Sequence, residues 1–291
     1  DVLEDAKKAH IPIILVNNGV DTDDSSLYSC MLGSDYGKQM KKAGKWLDEY
    51  LKEEDEKKAE KEKAASEAPT QEESEQTDSE DTEVNTDSSK ATDSSASIFD
   101  KIMKSSSTAK DETDSTEEEQ TEEDFTIKIA AIQESIGSEE QLMRAQGYQT
   151  MLERYSDWEM VAQQTGDNSR EEAEKVMKLF LEQEPDLRVV FAESDEMALG
   201  AIDAIEKSGK TCGEDGDIIV ISFGGSKAGI EAVKEGKLNV TFECNPGQGP
   251  KAAELIQRLE SDISIDKEQY VEETYFDGTM DLDEIIENRT Y

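Results

Sequence analysis

Short apolar runs bounded by polar turns alternate along this chain with stretches whose apolar residues recur every three or four positions. Continuous apolar runs of four to six residues are the mark of strands buried on both faces, and the longer period marks amphipathic helices. Residues 2–9 read as the end of a helix, and Pro12 opens a buried strand, Ile13–Val16, that stops at Asn17-Asn18-Gly19. Leu27–Leu32 reads as a second strand, and Gly33-Ser34-Asp35 caps a helix with Tyr36, Met40, Ala43 and Leu47 inside, which runs out into charge near Lys52. Order resumes with strand Ile127–Ile132. Ser138 and Gln141 have capping-box spacing ahead of a helix carrying Leu142, Ala145, Tyr148 and Leu152. Strand Met160–Gln163 follows, then a second capping box, Ser169 to Glu172, and a helix with Ala173, Val176, Met177, Phe180 and Leu181 inside, ended by Pro185.

The most regular unit is Arg188–Gly209. Val189–Ala192 is a buried strand, Asp195 occupies the expected helix N-cap, Met197, Ala198, Ala201, Ile202 and Ile205 repeat at helical spacing, and Gly209 stops the helix. Strand Ile218–Ser222, turn Phe223-Gly224-Gly225, helix Ala228–Lys234, strand Asn239–Glu243, helix Lys251–Leu259 and a strand near Tyr270–Phe276 complete the pattern. Alternation of this kind gives an α/β fold with parallel sheets and right-handed crossovers, in which ligands bind beyond the carboxyl ends of the strands.

Charge changes the picture in one place. Lys52–Asp124 holds 26 of the 71 acidic residues against 9 of the 31 basic ones. Rich in Ser, Thr, Glu and Asp, it cannot bury enough apolar surface to offset ordering entropy, and it reads as an acidic low-complexity insertion. Glu/Lys pairs allow Lys52–Ala65 to prolong the preceding helix, and Ser97–Lys104 is its one apolar island. The insertion joins a helix end to a strand start, at the pole opposite the ligand side. For the chain as a whole the net charge is -40 and the pI near 4.2. That excludes a nucleic-acid partner, whose phosphates require a basic surface. No apolar run approaches the roughly 20 residues that cross a bilayer.

Little else in the chain carries chemistry. Cys30, Cys212 and Cys244 lack metal spacing and read as small buried hydrophobes, and the lone His10 reads as a helix-end surface residue. The acidic loop Asp21–Ser26 lacks the glycine and the final glutamate of an EF-hand. Gly224-Gly225 before a helix fits either a phosphate cradle or a tight turn. With no nucleophile–base pair or metal cluster at strand ends, an enzyme finds no support.

Three stretches, "AKKAHIPIILVNNGVDTDDSSLY", "QTGDNSREEAEKVMKLFLEQEPDLRVVFAESDEMALGAIDAI" and "GKLNVTFECNPGQGP", resemble the sugar-binding proteins of bacterial ABC importers, of the ribose and galactofuranose type. Lactose-repressor-type regulators share that fold, the type I periplasmic-binding-protein fold. The resemblance implies two lobes joined by three crossovers, near Gly33-Ser34, Cys244-Asn245 and Tyr275. Residues 1–33 and 245–274 would form a truncated amino-terminal lobe, since the family carries further βα units upstream. Residues 35–244 and 275–291 would form the carboxyl-terminal lobe, with 52–124 inserted in it. The implied function is capture of a small polar solute, a sugar or derivative, between hinged lobes. The partner would be a membrane ABC permease, the location extracytoplasmic, periplasmic or lipid-anchored on the outer face, with a monomer expected and no cofactor or metal. A ligand-sensing domain of a transcription regulator or sensory receptor is the alternative.

The same resemblance implies the ligand-binding positions. Asn17-Asn18 stand where the family has Asp-Arg, and the arginine beyond the third strand is kept as Arg144. Asn168 replaces an aromatic, Ser194 an asparagine and Gly224 an aspartate. The glutamine near the second crossover falls at Cys244, with Glu243 beside it. With Arg144 as the fixed cation, an anionic or carbonyl-bearing ligand is expected in preference to a neutral pentose.

Overall fold

The apolar runs become strands of two sheets, and the computed structural model describes residues 2–66 and 126–291. In chain order the elements are α1 (Val2–Lys8), β1 (Ile14–Val16), β2 (Cys30–Gly33), α2 (Tyr36–Ser66), β3 (Ile127–Gln133), α3 (Glu139–Arg154), β4 (Trp158–Thr165), α4 (Arg170–Gln183) and β5 (Val189–Ala192). They continue with α5 (Asp195–Lys207), β6 (Ile219–Gly224), α6 (Lys227–Lys234), β7 (Val240–Glu243), α7 (Gly249–Glu260), β8 (Glu268–Tyr270), β9 (Tyr275–Asp277) and α8 (Leu282–Asn288). Among the described residues the strands make a three-stranded sheet, β1-β2-β8, and a six-stranded sheet, β4-β3-β5-β6-β7-β9. Both are parallel except for β9, which runs antiparallel to β7 at one edge. The chain is thus an α/β protein with two largely parallel sheets. Asp1–Lys61 with Asp124–Tyr291 forms one compact unit that contains both sheets. Of the other unit, Glu62–Glu123, only the last turn of α2 is described, and the apolar island at 97–104 lies outside the described residues.

The six-stranded sheet is apolar on both faces. On one side Ile132, Val190 and Ala192 pack with Val176, Phe180, Met197, Ala201 and Ile205 of α4 and α5. On the other, Ile129, Phe191, Ile221 and Phe242 meet Met40, Ala43 and Leu47 of α2 and Tyr148 of α3. Burying a side chain of this size stabilises the fold by about 1.5–3 kcal/mol. The three-stranded sheet has a smaller core of Cys30, Leu32 and Leu255.

Several expected elements are corrected. The last strand is two: β8 pairs with β2 in one sheet and β9 with β7 in the other, so residues 270–276 carry the chain from sheet to sheet. The run Leu27–Leu32 opens as a 3-10 turn, Ser25–Leu27, because Asp24 caps Ser26 N–H, and only Cys30–Gly33 extends. α2 runs on past Lys52 to Ser66, the prolongation that the Glu/Lys pairs allow. Lys45–Glu49 and Lys52–Asp48 pairs brace it, and Glu54 is buried in an ion pair with Arg188 that holds the helix to the sheet's far end. His10 is exposed, with a left-handed φ of 56° just past α1.

The N-cap of α5 is Ser194, not Asp195: its side chain accepts from Met197 N–H, and Asp195 is the first helical residue. Asp195, 4% exposed, instead turns beneath the sheet. One carboxylate oxygen accepts from Ser222 Oγ at 2.5 Å and Thr241 Oγ1 at 2.7 Å, and the other from Ser226 N at 2.7 Å. Gly225 N–H donates to Thr241 Oγ1 at 3.0 Å. The amides of this turn are therefore spent inside the fold, which removes the phosphate-cradle reading. A Cβ on Gly224 would lie 2.5 Å from the Asp195 carboxylate, so glycine stands there to make room for it.

Candidate functional site

Strands of both sheets end, carboxyl end first, at one crevice of about 530 Å³. Asn17 follows β1, Ser34 follows β2, Glu134 follows β3, Glu193 and Ser194 follow β5, Gly224 ends β6 and Cys244 follows β7, and each lines it. The volume suits a small ligand. Seven of the eight expected binding residues share this lining: Asn17, Asn18, Arg144, Asn168, Ser194, Gly224 and Cys244.

Glu243 does not. As the last residue of β7 its side chain points away from the crevice and accepts from Arg289 Nη1 at 2.8 Å, Tyr291 Oη at 2.7 Å and Thr274 N at 3.2 Å. It anchors the carboxyl-terminal segment. Successive side chains of a strand point to opposite faces, so the neighbours Glu243 and Cys244 serve different purposes.

Arg144, on the second turn of α3, is only 1% exposed. Its guanidinium lies between two rings, with Cζ 4.7 Å from the Tyr36 centroid and 4.9 Å from that of Phe223. Such desolvated cation–π contacts contribute about 2 kcal/mol each. Nη2 approaches Cys244 Sγ at 3.6 Å, and Nη1 lies 3.4 Å from Glu134 Oε1. That ion pair lacks hydrogen-bond geometry, so Nε and Nη1 keep unused donors. Burial pushes the Cys244 thiol up to about 11, leaving it neutral.

Two carboxylates that the sequence analysis did not single out complete the floor. Glu193, 1% exposed, accepts from Glu134 N at 2.9 Å through Oε2, while Oε1 has no partner. Burial raises its pKa to about 7, opposed by Arg144. The Glu134 carboxyl is also raised, chiefly by burial, against the pull of Arg144, and Glu140 adds to the rise. Tyr148, whose hydroxyl is buried without a partner, is raised well above the usual phenol range by burial and by Glu193. The available signal was position: Glu134 and Glu193 are each the first residue past a strand's carboxyl end.

The remaining lining is set by backbone demands. Asp167 and Asn168 both have left-handed φ, 48° and 52°, a region that Asp and Asn tolerate. Asn17, also left-handed at φ 69°, accepts from Gln248 Nε2 at 3.2 Å. Behind the crevice, where the chain passes between sheets, Glu273 joins the passages. It accepts from Ser34 Oγ at 2.6 Å, Asn245 N at 2.8 Å and Gln39 Nε2 at 2.8 Å.

Among the described residues there is no cluster able to hold a metal and no helix long and apolar enough to cross a membrane. The chain is 34% identical over 133 residues to the ribose import binding protein of Salmonella typhimurium, covering 45% of this chain and 43% of the relative. It is 25% identical over 137 residues to the galactofuranose-binding protein of Escherichia coli, 46% and 42% of the two chains. The matched stretch thus spans less than half the length of each. Among solved structures, the binding component of the arabinose ABC transporter of Shewanella sp. ANA-3, bound to L-arabinofuranose, superposes with a TM-score of 0.68 at 22% identity, over 99% of this chain and 72% of that one. The fructose-binding periplasmic domain of a hybrid two-component system gives 0.63 at 18% identity, over 98% and 69%. The periplasmic binding protein domain matches residues 1–262, which takes in every strand but β8 and β9 and every residue of the crevice, and the chain belongs to that family.

Proposed function

We propose that the protein is the substrate-binding component of an ABC importer, closing two lobes on a sugar or sugar derivative. In this reading it works outside the cytoplasm and hands its ligand to a membrane permease. The observation that carries it is the crevice at the carboxyl ends of both sheets, with Arg144 held between Tyr36 and Phe223 and its donors Nε and Nη1 unused. A buried donor without a partner costs about 1–3 kcal/mol, which a sugar hydroxyl entering the crevice would recover. The names of the relatives point the same way. The hinge lies at the three passages between sheets, near Gly33-Ser34, Cys244-Asn245 and Tyr275, with 1–33 and 245–274 in one lobe and 35–244 and 275–291 in the other. The polar groups joined by Glu273 support that placement, since their bonds can exchange without unpacking either core.

A sensory role is the second reading, favoured by the likeness to the periplasmic domain of a two-component system. Calorimetry of the purified protein with ribose, arabinose, galactose, allose and fructose tests the primary claim. Binding of one of these at micromolar Kd, weakened at least tenfold by Arg144→Ala, is expected; no heat from any sugar refutes it. Uptake of that sugar in cells lacking the gene separates import from sensing.

A further inference from the structure

Arg144 alone would favour an anionic ligand, but the charges around it say otherwise. The crevice is lined by three carboxylates, Glu134, Glu140 and Glu193, and Arg144 is the single cation among its lining residues. That guanidinium is already 3.4 Å from the Glu134 carboxylate, and its Cζ lies 4.7 Å from the Tyr36 ring centroid and 4.9 Å from that of Phe223. A carboxylate or phosphate entering here would meet a net negative wall, and like charges brought together in a partly dry site repel strongly.

The unused hydrogen-bonding atoms sharpen this. Glu193 Oε1 has only the Tyr148 hydroxyl near it, outside good hydrogen-bond geometry, in a side chain only 1% exposed that lines the crevice. Nε and Nη1 of Arg144 are donors with no acceptor, in a side chain equally buried. A ligand that satisfies both must offer an oxygen to the arginine and an N–H or O–H to the glutamate. A diol meets the hydrogen-bond count but brings no positive charge to Glu193, whose ionisation burial opposes. An ammonium group beside a hydroxyl meets both demands, and a buried carboxylate is stable only when its charge is paired.

We propose that the ligand is an amine-bearing polyol, in the simplest case an amino sugar, whose hydroxyl oxygen accepts from Arg144 and whose ammonium group is held by Glu193 with Glu134 and Glu140 at the rim. This rests on the sugar-receptor reading and narrows it. The helix ends at the crevice do not reverse the sign, because Ser138 and Ser194 cap their first-turn amides from within the chain.

The test is isothermal titration calorimetry on the purified protein at pH 7 with matched sets: D-galactosamine, D-galactose and D-galacturonate, then D-glucamine, D-glucitol and D-gluconate. The amine of at least one set is expected to bind ten times or more tighter than its neutral counterpart, with no binding by the acids. Glu193→Gln is expected to bring the amine down to the affinity of the neutral compound while changing the latter less than threefold. If that variant does not fold, Glu140→Gln, at the half-exposed rim, is expected to lower the amine's advantage at least threefold. Equal or tighter binding of the neutral or acidic compounds overturns the proposal and leaves the sugar-receptor reading standing. An amine preference untouched by the folded Glu variants overturns the assignment of these carboxylates. No binding by any compound in the sets or by the neutral sugars named above overturns both.

Discussion

Removing the Asp195 carboxylate is expected to destabilise the protein far more than loss of a helix cap. Asp195 accepts three hydrogen bonds, from Ser222 Oγ, Thr241 Oγ1 and Ser226 N, and both hydroxyl side chains belong to fully buried residues. Hydrogen bonds to a charged group contribute about 1.5–3 kcal/mol, and each buried donor left without an acceptor costs about 1–3 kcal/mol. Thr241 Oγ1 still accepts from Gly225 N–H, and Ser222 can rotate, so Asp195→Ala is expected to cost about 3–6 kcal/mol in total. A lost N-cap would cost only about 0.5–2 kcal/mol.

The conservative variant separates the contributions, because both hydroxyls donate to the same oxygen. In Asp195→Asn the amide oxygen keeps those two bonds, while the NH2 group faces the Ser226 N–H, donor against donor. One bond is lost, at about 1.5–3 kcal/mol. Urea denaturation followed by circular dichroism reads both variants. With a slope of about 2–3 kcal/mol per M, a 4 kcal/mol loss lowers the midpoint by about 1–2 M. A midpoint for Asp195→Ala inside the cap range, or equal losses for Ala and Asn, would refute the assignment of three bonds to this carboxylate.

Three further outcomes are expected. Glu193 has its pKa raised by burial from the ordinary 4.5 to about 7, so its contribution to stability is full below pH 4.5 and is lost as pH rises to about 7, a change of up to about 3 kcal/mol. Glu193→Gln should flatten that part of the pH–stability curve, and an unchanged slope would contradict it. Glu54→Ala removes the buried partner of Arg188, which keeps the Gly216 and Asp217 carbonyls as acceptors, so a loss of about 1–3 kcal/mol in urea is expected; none would place the helix beyond Lys52 outside the folded unit. Glu273→Ala breaks the bonds to Ser34, Gln39 and Asn245, and is expected to lower Tm and shift sugar affinity at least threefold, with Tm moving alone if these groups have no part in closure.

What could be read from the residues in order was whatever local periodicity encodes. Buried strands such as Val189–Ala192, the helix that follows, and the capping serines Ser138 and Ser169 rest on interactions within a few residues, and the structure has them where the pattern put them. The resemblance named Asn17, Arg144, Ser194 and Cys244 as binding positions, and they line one crevice where the strand-end rule puts ligands. The Glu/Lys pairs of the acidic insertion's first turns allowed the helix to run on, but what ties those turns to the fold is one buried pair, Glu54 with Arg188 134 positions away, which no local signal reports. Asp195 was taken for a cap because a local carboxylate at a helix start is the usual cap. Its partners lie 27, 31 and 46 positions away, and no local signal reports them. The division of 270–276 between two sheets, the turning of Glu243 toward Arg289, and the excess of carboxylates around Arg144 share that origin. Each depends on which side chains meet across the sheets, and that is settled when distant segments pack, not by the spacing of apolar residues along the chain.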